Sequence, residues 1–518
     1  MENTEREGAF ATVQREGCYE PIGTECSIDH VLPDYMPEIR RILRVEARPH
    51  KGGKYADGEK VEFTGSVTYT LLYADGEGKL SSVALTADYG FLCPYRSERE
   101  PTVYGDTRVE STLCRLTGPR KISLKSNLKS RIHLLLPEEL PTLQQDEGIE
   151  LLPFHTSCRR VRPTEGYALS LSDMLTVEGS AAEEVHPLLS DARLAVREVK
   201  AEGGSVRVRG EAFVRLLLSK EDGTPLSYLR RIPFDEEMLV EGVENGDLLL
   251  CDGGISLVDL SVSDGEGGAQ IDLSCEGELS LLHIAELPIE GVKDAYSPLY
   301  PTHLSERSVS LCRIGGCFTG IFSVGSRGSL PEEPVVSIPD GEGTVTASRV
   351  EIENGRAVLY GDIKARLLLE NAPHGEGEGF SFSSYEHTFP FRIETDIRIP
   401  EKEAPRFDTV CEVLYLRPRT ERDGIAIDAE LSVKTIAYCE ENFTFVSSVT
   451  PDKESPYPHR ADEIAVLYPD DGESLWSLGK RTHTSPAALC HLNSLALPEG
   501  EDLASPHSLN GVGYLLVQ

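Results

Sequence analysis

One stretch of this chain occurs three times, as Val61-Glu-Phe-Thr-Gly-Ser-Val-Thr-Tyr-Thr-Leu-Leu-Tyr73, Val206-Arg-Val-Arg-Gly-Glu-Ala-Phe-Val-Arg-Leu-Leu-Leu218 and Ala357-Val-Leu-Tyr-Gly-Asp-Ile-Lys-Ala-Arg-Leu-Leu-Leu369. Each copy has a glycine at its fifth position, and apolar residues follow at every second place. They are Val67, Tyr69, Leu71 and Tyr73 in the first copy and Ala212, Val214, Leu216 and Leu218 in the second. In the third they are Ile363, Ala365, Leu367 and Leu369. A period of two is the repeat of a strand with one buried face. The glycine predicts a bulge or bend, where a side chain would obstruct a neighbouring backbone. Gly65, Gly210 and Gly361 recur at intervals of about 150 residues, which is domain-sized and too long for a solenoid repeat. The chain therefore reads as three related β units with an addition at the end.

Turn signals recur at matching offsets. Asp75-Gly76 and Asp222-Gly223 follow the first two glycine strands, and the longer loop Pro373–Gly379 follows the third. Such Asp-Gly pairs accept the backbone angles of tight hairpins. A second hairpin in each unit joins residues 109–116 to 121–128, 255–262 to 269–282, and 410–416 to 425–437. With little helical periodicity, the predicted fold is mainly β: three tandem antiparallel β-sandwich or barrel-like domains over 1–160, 161–310 and 311–455. One short helix is expected after Pro37, with Glu38 in its first turn and Ile39, Ile42 and Leu43 on one face. Pro451–Pro458 reads as a linker. Residues 460–518 then read strand–helix–helix–strand. Leu475, Trp476, Leu478 and Gly479 face inward on the first helix, and Ser485-Pro486 opens the second, which ends at Asn493. Trp476 is expected to anchor that small core.

The 518 residues carry 86 acidic and 51 basic side chains, a formal −35. This argues against nucleic acid and anionic membrane as general partners. No apolar run approaches the roughly 20 residues that span a bilayer. The start, Met1–Glu7, lacks the basic and apolar segments of a signal peptide, so the protein is expected to stay where it is made. Twelve cysteines without a Cys-x-x-Cys pair are expected to be mostly unpaired, buried thiols. No hydrolase elbow, zinc-protease helix or phosphate loop is present. Gly375-Glu-Gly-Glu-Gly379 would repel phosphate, and Glu183, Glu184 and His186 read as an exposed polar face. No catalytic, cofactor or metal residue is nominated, and the chain is read as a non-enzyme.

Residues 471–481, Asp-Gly-Glu-Ser-Leu-Trp-Ser-Leu-Gly-Lys-Arg, with Leu489 and Asn493 downstream, resemble the core of a LysM domain. Glu473 and Ser474 stand where that family has Asp and Thr, and Gly479 and Thr482 also depart from it. The resemblance implies a binding groove with Asp471, Gly472, Glu473, Ser474 and Leu475 on one side and Asn493 on the other. Leu32-Pro-Asp-Tyr-Met-Pro-Glu-Ile-Arg-Arg-Ile-Leu-Arg-Val45, leading into the first glycine strand, resembles the SPOCS (spore coat assembly) domain, with Glu38 where Asp is usual. The second and third units match it only through the glycine strand. Together the resemblances imply a coat scaffold in the mother-cell cytoplasm at the forespore surface. Its LysM-like domain would bind a protein, the coat's basement-layer morphogenetic ATPase. The second reading is a cell-wall protein whose LysM-like domain binds glycan containing N-acetylglucosamine. Residues 460–518 carry eight acids against three Lys or Arg, a formal −5, which favours a basic partner. Leu475, with Leu492 or Leu495, is the expected apolar docking element.

Overall fold

The computed structural model describes residues 10–517 apart from 18–20, 142, 144–145, 330–333, 373–380, 401–403, 423, 459–463, 499 and 510. The fold is mainly β, its sheets are antiparallel, and its two α-helices lie near the C-terminus. Strands β3 (Arg41–Ala56), β4 (Lys60–Ala74) and β5 (Leu80–Pro94) form a sheet in that order. Facing it, β7 (Lys121–Pro141) pairs with β1 (Phe10–Gly17), β2 (Ile22–Val31) and β6 (Thr102–Gly118). The next sheet is β9 (Val185–Ala201), β10 (Ser205–Lys220) and β11 (Pro225–Leu239); its companion has β13 (Gly268–Tyr296) between β8 (Glu150–Glu178) and β12 (Leu248–Gly265). The pattern repeats once more. Strands β15 (Val335–Glu353), β16 (Arg356–Asn371) and β17 (Ser381–Arg398) form one sheet, and β19 (Gly424–Pro451) lies between β14 (Thr302–Gly328) and β18 (Arg406–Glu421) in the other.

The alternating residues after each glycine fill the space between the paired sheets. Val67, Tyr69, Leu71 and Tyr73 meet Ile122, Leu124 and Leu128 in one cluster. Val214, Leu216 and Leu218 meet Ile271, Leu273 and Cys275 in the next, and Ile363, Leu367 and Leu369 meet Ile425, Ile427 and Leu431 in the third.

The glycines occupy one topological position, the middle of the central strand β4, β10 or β16. Opposite or beside each, the preceding strand slips register by a bulge. A ring from the following strand lies over the glycine. A Cβ on Gly210 would come within 2.3 Å of the Ala195 carbonyl oxygen and 2.5 Å of the Phe234 ring. At Gly361 the same contacts are 2.4 Å to the Ala347 oxygen and 2.5 Å to Phe391; at Gly65, Tyr89 takes the ring's place. The side chain is excluded from both sides, as expected for a glycine that lets an aromatic ring close on the backbone.

The glycine sheets contact one another in cyclic order: β5 meets β9, β11 meets β15, and β17 meets β3. Leu72, Leu217 and Leu368, equivalent in the three repeats, join Leu43, Leu189 and Phe382 in one buried cluster. At this end both faces of the central strands are buried, whereas alternation predicts only one.

Other expectations are corrected. No helix follows Pro37: Arg40 N–H, which a helix would bond back to Met36, donates instead to the Ala74 carbonyl of β4, and Ile39 N–H donates to the Pro119 carbonyl in the turn between β6 and β7. Ile39 and Leu43 are buried nonetheless, beside a turn and in β3. The division drawn at 160 falls inside β8, whose residues from Glu150 onward pair with β13. That drawn at 310 falls inside β14, which pairs with β19. The linker Pro451–Pro458 is pinned, with Asp452 and Tyr457 N–H groups donating to the Pro301 and Leu299 carbonyls at 2.8 and 2.9 Å. The loop Pro373–Gly379 lies outside the described residues. Cys26, Cys93, Cys158, Cys251 and Cys275 are buried free thiols, and burial pushes that of Cys251 up to about 12.

Candidate functional site

Strand β20 (Ala465–Leu467) pairs with β21 (Leu515–Val517), and α1 (Leu475–Thr482) and α2 (Pro486–Asn493) lie between them in the chain. Both helices start where their caps require. Ser474 Oγ accepts from Ser477 N–H at 3.2 Å while Ser477 Oγ accepts from Ser474 N–H at 2.9 Å. Ser485 Oγ accepts from Ala488 N–H at 3.2 Å, with Pro486 at the first helical position. The module's core is Leu475, Leu478, Leu489, Cys490, Leu509, Leu515 and Val517.

The six nominated residues divide by role. Asp471 and Gly472 are exposed on the β20–α1 loop. Glu473 is turned onto Arg481, which donates to both its oxygens at 2.9 Å. Burial opposes ionisation of Glu473, but that guanidinium outweighs it and holds the carboxyl below its usual range. Ser474 is the cap. Leu475 is 1% exposed in the core, so it is not available as a docking element. Asn493 is a clamp: its amide donates to the Leu489 and Leu516 carbonyls at 2.9 and 2.8 Å, and its oxygen accepts from Leu516 N–H at 2.7 Å. It ties α2 to β21.

Trp476 is buried as predicted, but against the second β unit and not in the module's main core. It packs with Leu152 and Tyr296, its ring edge-on to Tyr296 at 4.9 Å. Its Nε1–H donates to Asp294 Oδ2 at 2.9 Å, and Lys480 Nζ reaches the same carboxylate at 2.7 Å. Tyr296 Oη donates to the Thr484 carbonyl at 2.8 Å, and His483 stacks on Tyr457 at 3.6 Å. Gly479 is explained by this docking, since a Cβ there would lie 2.5 Å from Tyr296 Oη. Asp294 and Tyr296 lie some 180 residues upstream of the module, and no local pattern marks them as its partners.

The docked module presents one distinctive surface. Ile464, Val466, Tyr468 and Tyr514 are exposed large apolar residues on and beside β20 and β21. Asp470 and Asp471 follow directly and are exposed. The module's described Lys and Arg are already committed, Lys480 to Asp294 and Arg481 to Glu473. Among the described residues no three His, Cys, Asp or Glu are grouped to hold a metal ion, and no helix is long and apolar enough to cross a membrane. Compared with protein-family models and with curated proteins, the chain matches none.

Proposed function

We propose that this chain is a non-enzymatic scaffold of the spore-coat type and that its C-terminal LysM-like module recognises a protein. The observation that carries the reading is the exposed acidic pair Asp470 and Asp471 beside the exposed Ile464, Val466, Tyr468 and Tyr514. An apolar patch rimmed by charge of one sign suits a partner with a basic, partly apolar surface. The resemblance proposes which protein: the coat's basement-layer ATPase. The glycan reading draws on the same module, since carboxylates accept sugar hydroxyls.

The test uses the full chain, because the isolated module would expose Trp476. Binding to the purified ATPase is measured against retention on purified peptidoglycan, for the native chain and for one carrying Asp470→Lys and Asp471→Lys. Salt-sensitive ATPase binding that the double variant loses supports the reading. Retention on peptidoglycan with no ATPase binding replaces it with the glycan reading.

A further inference from the structure

Next to the leucine cluster, the ring of glycine sheets contains a buried ion network that joins all three units. Arg215 of β10 donates through Nη2 to both oxygens of Glu46 on β3, at 2.8 and 2.9 Å. Its Nη1 reaches Asp340 Oδ2 on β15 at 3.3 Å and the Gly341 carbonyl at 2.9 Å. Arg44 of β3 is bonded to Asp340 and lies 2.8 Å from Glu46. Arg48 of β3 pairs with Asp191 of β9 and donates to the Ala192 carbonyl at 2.7 Å. Arg193 of β9 pairs with Glu412 of β18 at 2.7 Å. The four arginines are thus matched by four carboxylates: Glu46, Asp191, Asp340 and Glu412.

Glu342 of β15 is a fifth carboxylate. The threefold repeat puts it there: it lies across from Arg366, as Asp191 does from Arg215 and Glu46 from Thr70. All three acids hold one position relative to their repeat's glycine. Arg366 is occupied elsewhere, with Glu386 at 3.0 Å and the Val45 carbonyl at 3.5 Å. Glu342 is 8% exposed, and among the described residues it has no ion pair and its Oε2 no hydrogen-bond partner. A buried carboxylate without a direct ion pair or a hydrogen bond to that oxygen is costly, and its protonated form far less so.

We propose that Glu342 is a proton switch at the junction of the three units, protonated when the ring is tight and loosening the third unit from the other two when it ionises. Burial, and behind it the charge of Glu46, push this carboxyl up to about 7 against the pull of Arg44, Arg215 and Arg193. The folded value lies above the ordinary 4.5, so the folded chain holds the proton more tightly than the unfolded one. Its stabilising contribution is complete below about 4.5 and is lost as pH rises through about 7. Asp340 has the opposite sign: burial opposes its charge, but Arg215 and Arg44 outweigh burial and hold it below 3.8. Its contribution is present above that pH and is lost on acidification.

The experiment compares the full native chain with Glu342→Gln between pH 6 and 8. The native melting temperature should fall relative to the variant's from pH 6 to about 7 and level off above it. Limited proteolysis of the segment between Tyr296 and Thr302, normalised to an unstructured control, should rise severalfold with pH in the native chain only. Infrared spectroscopy of the native chain should show a protonated carboxyl that disappears between pH 6 and 8, a reading that holds even if the variant does not fold. Parallel melting curves, a flat proteolysis profile, or no protonated carboxyl at pH 6 would each overturn the proposal.

Discussion

Replacing Gly479 by alanine sets two effects of opposite sign against each other. In a helix interior alanine is preferred to glycine by about 1 kcal/mol, so a free module should gain stability. In the docked module the new Cβ would sit 2.5 Å from Tyr296 Oη and 2.8 Å from the Thr484 carbonyl oxygen, where no carbon fits. Forcing an extra methyl into packed surroundings costs about 1–3 kcal/mol. The Tyr296–Thr484 hydrogen bond, at 2.8 Å, must also lengthen, and leaving such a buried group unpaired costs about 1–3 kcal/mol. The losses outweigh the gain, and the expected net change is about 1–5 kcal/mol against the docked, folded module. The protein's one tryptophan is the reporter, because Trp476 is itself in the interface. In urea, its emission should shift to the red at lower denaturant in the variant, ahead of the far-ultraviolet signal of the β units. Tyr296→Phe removes the clashing oxygen, so Gly479→Ala should cost less in that background. A variant that melts at higher denaturant with native Trp476 emission would show that the module does not dock on Tyr296, and the argument would fail.

Gly210→Ala should destabilise the second β unit by about 3 kcal/mol, since its Cβ meets both the Ala195 carbonyl and the Phe234 ring. Denaturation midpoints check this, and a change within about 0.5 kcal/mol would refute the close-approach account. On the acid side, Asp340→Asn should flatten the decline in melting temperature below about pH 4, because the native carboxylate is held below 3.8 by Arg215 and Arg44. Equal acid limbs in the two proteins would rule out Asp340 as a source of that decline.

What the sequence determined by itself is local. Period-two alternation after Gly65, Gly210 and Gly361 identified the strand faces that fill the space between sheets, because a strand's side chains obey a geometry that adjacent residues already specify. The turn pairs located the hairpins, and helical spacing with serine caps placed Leu475, Trp476, Leu478 and Gly479 on the buried side of α1. The tertiary structure decided everything that depends on contacts distant in sequence. Pro37 looked like a helix start until β4 and the Pro119 turn took the backbone donors. Leu475 looked like a docking residue, but its burial is set by β21 and the turn at Leu509, both downstream. Trp476 gave no sign that its partner would be Asp294, and Arg215 none that it would hold Glu46 and Asp340 of the two flanking units. Alternation specifies which residues share a face of a strand. What covers that face depends on how three sheets close into a ring, and no single segment encodes that closure.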